Sequence, residues 1–235
     1  MRGLIELADG VHQLAVTAGV NCWVLRDEHG VTLIDTGLAR KGLIPKLGRL
    51  GIAPGDVTRV LLTHAHPDHA GGIAGLIRAG ADPTIEVGED DLPIVRGEQD
   101  QPTSDASTWS GRLFNRVPPP GPFGAPVVHP NATALRPGDH LPFAGGIEVV
   151  ATPGHTPGHL AFHLTAHGLV IGGDVLFNLF SLRPSPAFLC WRIAPNHTSM
   201  TRIADLAPRT LALAHGRAVT DDVAGRLRQV AADTA

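Results

Sequence analysis

Five apolar runs in this chain each end in a side chain able to bind a metal ion or orient a ligand. Val31-Thr32-Leu33-Ile34 ends at Asp35, and Val60-Leu61-Leu62-Thr63 ends at His64. Leu169-Val170-Ile171-Gly172-Gly173 ends at Asp174, Leu211-Ala212-Leu213-Ala214 ends at His215, and Ile147 to Ala151 leads through Thr152-Pro153-Gly154 to His155. Apolar runs this short read as buried strands. Side chains at strand ends are rigidly held, and strands sharing a sheet edge bring them together whatever their separation in sequence. Gly37, Gly71, Gly154, Gly173 and Gly216 beside them permit tight turns and close backbone approach.

The second run opens into His64-Ala65-His66-Pro67-Asp68-His69, three imidazoles and a carboxylate in six residues, followed by the turn Gly71-Gly72. Imidazole nitrogen and carboxylate oxygen suit zinc and, less selectively, iron or manganese. A chance patch of surface histidines has no reason to follow a buried strand and precede a Gly-Gly turn, so the segment reads as part of a metal site.

Composition narrows the class. The 235 residues are 43% hydrophobic and 17% charged, which is globular and long enough for a substantial core. The expectation is a single domain over residues 1–235. The net charge is −3 and no Lys/Arg run occurs, so neither nucleic acid nor an anionic membrane is an expected partner. Glu6 and Asp9 interrupt the N-terminal apolar stretch that a secretory signal needs, and no apolar run reaches membrane-spanning length. Cys22 and Cys190 lie far apart and outside any CxxC pair, as expected of idle thiols in a reducing cytoplasm.

Strand signals cover Val11–Val16, Cys22–Leu25 and Val31–Ile34, with Gly19 and Asp27-Glu28-His29-Gly30 as turns. Residues Ala39–Leu50 read as a helix, with Leu43, Leu47 and Leu50 at helical spacing, although Pro45 and Gly48 weaken the pattern. There follow strands at Val60–Leu62 and Thr84–Val87 around a helix at Ile73–Ala79. Strands at Ile147–Ala151, Leu160–Leu164, Leu169–Ile171 and Leu211–Ala214 follow, with helices at Thr198–Leu206 and Asp221–Ala232. Between them lies a Pro-rich insertion, about 98–130, of the kind that covers a site or contacts a subunit. The alternation predicts an α/β sandwich with helices outside the sheets.

The set Leu33-Ile34-Asp35-Thr36-Gly37, Thr63 to His69, Pro153-Gly154-His155-Thr156-Pro157-Gly158-His159, Gly172-Gly173-Asp174 and Ala214-His215-Gly216 resembles the metallo-β-lactamase-fold superfamily. Within it the chain is most similar to hydrolases grouped around glyoxalase II and the lactonases. The resemblance implies an αββα sandwich of two mixed β-sheets flanked by helices, with a metal pair at one edge between the sheets. It implies two divalent ions, zinc foremost and iron or manganese as alternatives. His64, His66 and His155 would hold the first, Asp68, His69 and His215 the second, and Asp174 would bridge them. A bridging hydroxide is then the nucleophile, with two cations lowering the pKa of water and taking up charge on the carbonyl under attack. Asp174 and Asp68 are the catalytic carboxylates of this scheme, Asp68 as a candidate for moving protons. Asp35 comes too early for a metal ligand and reads as the acceptor that fixes a ligand imidazole's tautomer, or else as a turn aspartate before Thr36-Gly37. His159 reads as a structural or orienting imidazole. His12, His29, His129, His140, His163, His167 and His197 read as surface or packing residues.

The implied reaction is hydrolysis of an ester, thioester or lactone of a small molecule. A bridging aspartate and the missing signal argue against a dedicated β-lactam hydrolase. The absence of tyrosine departs from the acyl-homoserine-lactone enzymes, and the chain stops about twenty residues after His215, short of glutathione-binding helices. The rival class is a mononuclear iron oxidoreductase of the persulfide dioxygenase type, on His64, His155 and Asp174. Val175-Leu176-Phe177-Asn178 lacks the Arg- and Cys-bearing stretch of those enzymes. Trp109, Phe177, Phe180 and Trp191 are the candidate substrate-binding residues, with Phe114, Phe123 and Phe188 as further aromatics in the same loops. Arg183 and Arg192 are candidates for gripping a carboxylate. Oligomeric state is left open, homo-oligomers included.

Overall fold

The computed structural model of the chain describes residues 3–17, 19–28, 30–39, 42–117, 121 and 127–234. His29 and Phe123 lie outside the described residues. Strands β1 (Leu4–Ala8), β2 (Val11–Thr17), β3 (Val20–Asp27), β4 (Gly30–Ile34), β5 (Val57–Leu61), β6 (Thr84–Gly88) and β7 (Thr133–Leu135) form one seven-stranded sheet in sequence order. Its first four strands pair antiparallel and the remainder parallel. A second sheet takes β8 (His140–Leu141), β9 (Ile147–Ala151), β10 (Leu160–Leu164), β11 (Leu169–Ile171) and β14 (Thr210–Ala212) in the order β14-β11-β10-β9-β8, with β11 and β14 parallel. A separate hairpin joins β12 (Leu176–Asn178) to β13 (Leu182–Pro184).

Side-chain alternation sorts the strands into layers, because successive residues of a strand face opposite sides. Trp23, Leu25, Ile34 and Leu61 meet Ile147, Val149, Leu160, Phe162 and Ile171 between the two sheets. Their neighbours Cys22, Val24, Leu33 and Val60 face outward onto α1 (Leu43–Arg49) and α3 (Ile73–Arg78). On the far side Val170, Leu211 and Leu213 pack against α6 (Ile193–Asp205) and α7 (Val223–Thr234). The expected αββα sandwich of two mixed sheets is the observed fold, and its three apolar layers explain why the central strands carry almost no polar residues. Among the described residues no helix is long and apolar enough to cross a membrane.

Helix starts differ from the sequence reading. α1 begins at Leu43 and α6 at Ile193, five residues before Thr198. Pro45 and Pro195 each fall in the first turn of their helix, where a missing N–H costs nothing. Short elements also went unread: β1, the hairpin β12–β13, and the helices α2 (Pro67–Ala70), α4 (Leu92–Val95) and α5 (Trp109–Phe114).

Candidate metal centre

The loops that follow β4, β5, β9, β11 and β14 bring the sequence-predicted side chains to one sheet edge. His64 Nε2 and His155 Nε2 stand 3.0 and 2.9 Å from His66 Nδ1. The other nitrogen of each is spoken for. His64 Nδ1 lies 3.0 Å from Thr63 Oγ1, whose own hydrogen goes to Asp35 Oδ2 at 2.8 Å, so His64 is the donor of that pair. His155 Nδ1 faces Ser185 Oγ at 3.0 Å. His64 therefore presents its Nε2 lone pair toward His66 Nδ1, and His155 does the same when its Nδ1 donates to Ser185 Oγ. One proton cannot bridge all three nitrogens, whereas nitrogens on a tetrahedral zinc stand about 3.3 Å apart.

A second group adjoins the first. His69 donates from Nδ1 to Asp35 Oδ2 at 2.8 Å, which leaves Nε2 as the atom facing the cluster. That atom lies 3.7 Å from Asp68 Oδ2 and 3.5 Å from Asp174 Oδ1. His215 Nε2 lies 3.6 Å from Asp68 Oδ2 and 3.2 Å from Asp174 Oδ2, and the same Asp174 oxygen is 3.4 Å from His155 Nε2. The donor atoms of His64, His66 and His155 fall within the span of one metal ion, as do those of Asp68, His69 and His215, and those of His64, His69 and Asp174. His69 Nε2 and Asp174 Oδ1 are buried with no hydrogen-bond partner. Such orphans are rare in a protein interior and are what a cation would satisfy. The residues present thus fit a metal ion.

Electrostatics agree with that fit. Burial drives His64 and His155 well below the ordinary imidazole range, so both are held neutral, the ligating form. Around His69 burial works the same way, but Asp174, Asp35 and Asp68 outweigh it and raise the imidazole to about 10. Carboxylates have made that corner a place for positive charge, which a divalent ion supplies as well as a proton does. Burial opposes the charge on Asp174, yet His215, His69 and His155 overcome it and hold the carboxyl far below its usual range.

Around the donors lies a shell that fixes them. Asp35 is fully buried, adopts φ 58°, and also accepts from the Thr63 backbone N–H at 2.8 Å. Its carboxylate thus holds His69 Nδ1 and both Thr63 donors at once. His159 accepts the Asp174 N–H at Nε2 and meets Thr152 Oγ1 through Nδ1 at 2.8 Å. Both its nitrogens are thus taken by protein partners. Gly173 is confined by it, since a Cβ there would stand 2.5 Å from His159 Nε2.

Three residues of this shell were not anticipated. Asp91, fully buried, accepts from Ala65 N at 3.0 Å, Thr156 Oγ1 at 2.7 Å and Gly158 N at 2.7 Å, tying the His64–His66 loop to the His155 loop. Ser185 partners His155, and Asn21 Nδ2 donates to the carbonyls of Leu213 and Gly216, at 2.8 and 2.7 Å, on either side of His215. No motif announces them.

A cavity of about 290 Å³ opens onto the cluster, lined by His66, Asp68, His155, Asp174 and His215 and walled by Pro67, Gln101, Pro102, Ser104, Phe114, Phe177, Leu189 and Trp191. Phe177 stacks on His215 with ring centroids 4.4 Å apart. Of the substrate-binding candidates, Phe177 and Trp191 line this cavity. Trp109 and Phe180 do not: they are 73% and 103% exposed. α5 turns Phe114 inward, and a residue five positions earlier is rotated well away from that face. Phe180 sits in the turn between β12 and β13, beyond the reach of either sheet. Arg183 donates to Ser181 Oγ and Arg192 to the Trp191 carbonyl oxygen, and neither lines the cavity. The described part of the Pro-rich insertion is a wall of the cavity. Gln101 donates to Ala65 O at 2.8 Å, Ser104 to Phe188 O at 2.7 Å, and Asp105 accepts from Ile193 N at 3.0 Å.

The family profile described as the metallo-beta-lactamase superfamily matches residues 16–215. YobT of Bacillus subtilis (strain 168) is 30% identical over 217 residues, covering 84% of this chain and 83% of that protein. A hydroxyacylglutathione hydrolase of Aeromonas salmonicida (strain A449) is 29% identical over 195 residues, covering 80% of this chain but only 58% of that enzyme. Among solved structures, a metallo-beta-lactamase family protein from Thermus thermophilus superposes with a TM-score of 0.76 at 28% identity, covering 97% of this chain and 80% of that one. With its five strand-end motifs converged on one edge of an αββα sandwich, this chain belongs to the metallo-beta-lactamase superfamily of metal-dependent hydrolases.

Proposed function

We propose that this protein hydrolyses an ester, thioester or lactone of a small molecule at a site for two divalent cations, zinc foremost. One observation carries the reading. Asp174 faces both donor groups at once, with Oδ2 3.4 Å from His155 Nε2 and 3.2 Å from His215 Nε2, and Oδ1 3.5 Å from His69 Nε2. His64, His66 and His155 would hold one ion, Asp68, His69 and His215 the other, and Asp174 would be shared. Bound there, divalent cations lower the pKa of water into the neutral range and polarise a carbonyl oxygen.

The chain's own residues do the remaining work. The apolar walls exclude bulk water and seat the substrate with its carbonyl toward the donors. Attack forms a bond from the water oxygen to the carbonyl carbon, and collapse breaks the bond from that carbon to the leaving oxygen or sulfur. The proton lost by the water goes to the leaving group, and Asp68, which lines the cavity, is placed to hold it in transit. The buried partners Asp35 and Ser185 keep the imidazoles in the ligating tautomer throughout.

Metal content of the purified protein, followed by a panel of thioester, lactone, aryl ester, phosphodiester and β-lactam substrates, tests the reading. Two zinc ions per chain with chelator-sensitive ester, thioester or lactone cleavage are expected. One tightly held iron with oxygen uptake on a persulfide would overturn it in favour of the oxidoreductase class.

A further inference from the structure

We infer that the part of the substrate seated in the cavity is uncharged and apolar, and that the site discriminates against acyl groups ending in a carboxylate. The inference rests on the hydrolase reading above and names the substrate class of that site. Away from the donor cluster the wall is Pro102, Phe114, Phe177, Leu189 and Trp191. Its two polar members are turned to the protein itself. Gln101 points its side-chain nitrogen at Ala65 O, and Ser104 gives its hydroxyl hydrogen to Phe188 O. An anion held in such a wall needs a cation or free donors. Among the described residues lining the cavity none is lysine or arginine. The neighbouring guanidinium, that of Arg192, lies over the Trp191 ring 4.9 Å from its centroid, donates to the Trp191 carbonyl and does not line the cavity. The cavity's size is at the small end for ligand pockets, matching a short acyl group.

Two esters of equal chain length decide the matter: p-nitrophenyl hexanoate, and the mono-p-nitrophenyl ester of adipic acid, which ends in a carboxylate. The zinc-loaded enzyme is expected to favour the hexanoate by about 100-fold in kcat/KM, the cost of seating an unpaired charge against apolar surface. Leu189 lines the cavity and is half-buried. Leu189→Lys is expected to raise kcat/KM for the adipate ester about tenfold and lower it for the hexanoate, with Leu189→Gln as the uncharged control. Calorimetric titration with methyl pentyl ketone and with its chain-terminal carboxylate analogue reads binding without any bond to cleave. Equal or greater preference for the anionic ligands, or Leu189→Lys leaving both esters unchanged, overturns the inference. If neither ester is cleaved but the uncharged ketone still binds preferentially, the hydrolase reading falls and the selectivity stands.

Discussion

The backbone N–H of Asp174 donates to Nε2 of His159 at 3.0 Å, and that bond decides which proton His159 carries. With Nε2 an acceptor, Nδ1 keeps its hydrogen for Thr152 Oγ1, and the ring is neutral in the fold. Burial lowers its pKa to about 3. Between roughly pH 3 and 6.5 the unfolded chain therefore binds a proton here that the native chain refuses, and stability falls as pH drops through that window. In metal-free protein, His159→Gln removes this titration but weakens the support of Asp174. At pH 7 the variant should be less stable by about 1–3 kcal/mol. By pH 4 the wild type should have lost about 3 kcal/mol that the variant does not lose. Urea unfolding at both pH values measures the gap, and a gap that stays constant would refute the tautomer assignment.

Asp35 supports a sharper substitution. Its φ of 58° lies where asparagine is unusually well tolerated, so Asp35→Asn leaves the backbone unstrained. The amide offers one acceptor oxygen where the carboxylate offers two, against Thr63 N, Thr63 Oγ1 and His69 Nδ1. His69 then loses the partner that fixes Nδ1–H, and Nε2 is no longer reserved as a ligand. Metal affinity should fall about 10–100-fold while the circular dichroism spectrum is unchanged. Unaltered affinity in a zinc competition titration would show that Asp35 only shapes the turn.

Why some of this was legible before the structure, and some not, follows from where each side chain gets its surroundings. Asp35, His64, Asp174 and His215 close apolar strands, so strand pattern and ligand identity appear in the same few residues. Asp91 belongs to Glu89-Asp90-Asp91, which reads as a solvated acidic run; the first two are exposed and the third is wholly buried. What turns it inward is the close pass of the Gly158 loop, a contact across 67 residues that no local pattern records. Trp109 and Phe180 lie outside the cavity for the complementary reason. Aromatic character marked them as wall candidates, but α5 presents Phe114 instead, and helix phase in so short an element cannot be read from periodicity.

Asp91 leads to a prediction of its own. Both its oxygens are used, by three donors from two loops, so Asp91→Ala strands two buried N–H groups and the Thr156 hydroxyl. The expected loss is about 2–4 kcal/mol of stability. Beyond that, the loops bearing His64, His66 and His155 are no longer tied together. Metal should bind more weakly at the site of those three histidines than at the Asp68, His69 and His215 group. Cobalt substitution followed by visible absorption resolves the two environments. If both weaken in parallel, Asp91 is a fold residue and nothing more.

The cavity wall gives a prediction in which sequence and structure disagree, so one experiment separates them. Aromatic residues near a metal site are obvious candidates for substrate contact, and Trp109 and Phe180 satisfy that description as well as Trp191 does. Only position distinguishes them. Trp191 lines the cavity beside His155, whose carbonyl oxygen accepts the Trp191 N–H at 2.9 Å, and Phe114 lines it from α5. Truncating either enlarges the cavity and removes apolar contact from the substrate in the ground state and the transition state alike, so KM should rise about 10-fold with kcat little changed. Trp109→Ala and Phe180→Ala remove exposed rings and should leave both constants within about twofold. Four single variants with one ester substrate are enough. Should Trp109→Ala raise KM as far as Trp191→Ala does, the insertion must close over the substrate during turnover, and the wall described here is only part of the binding surface.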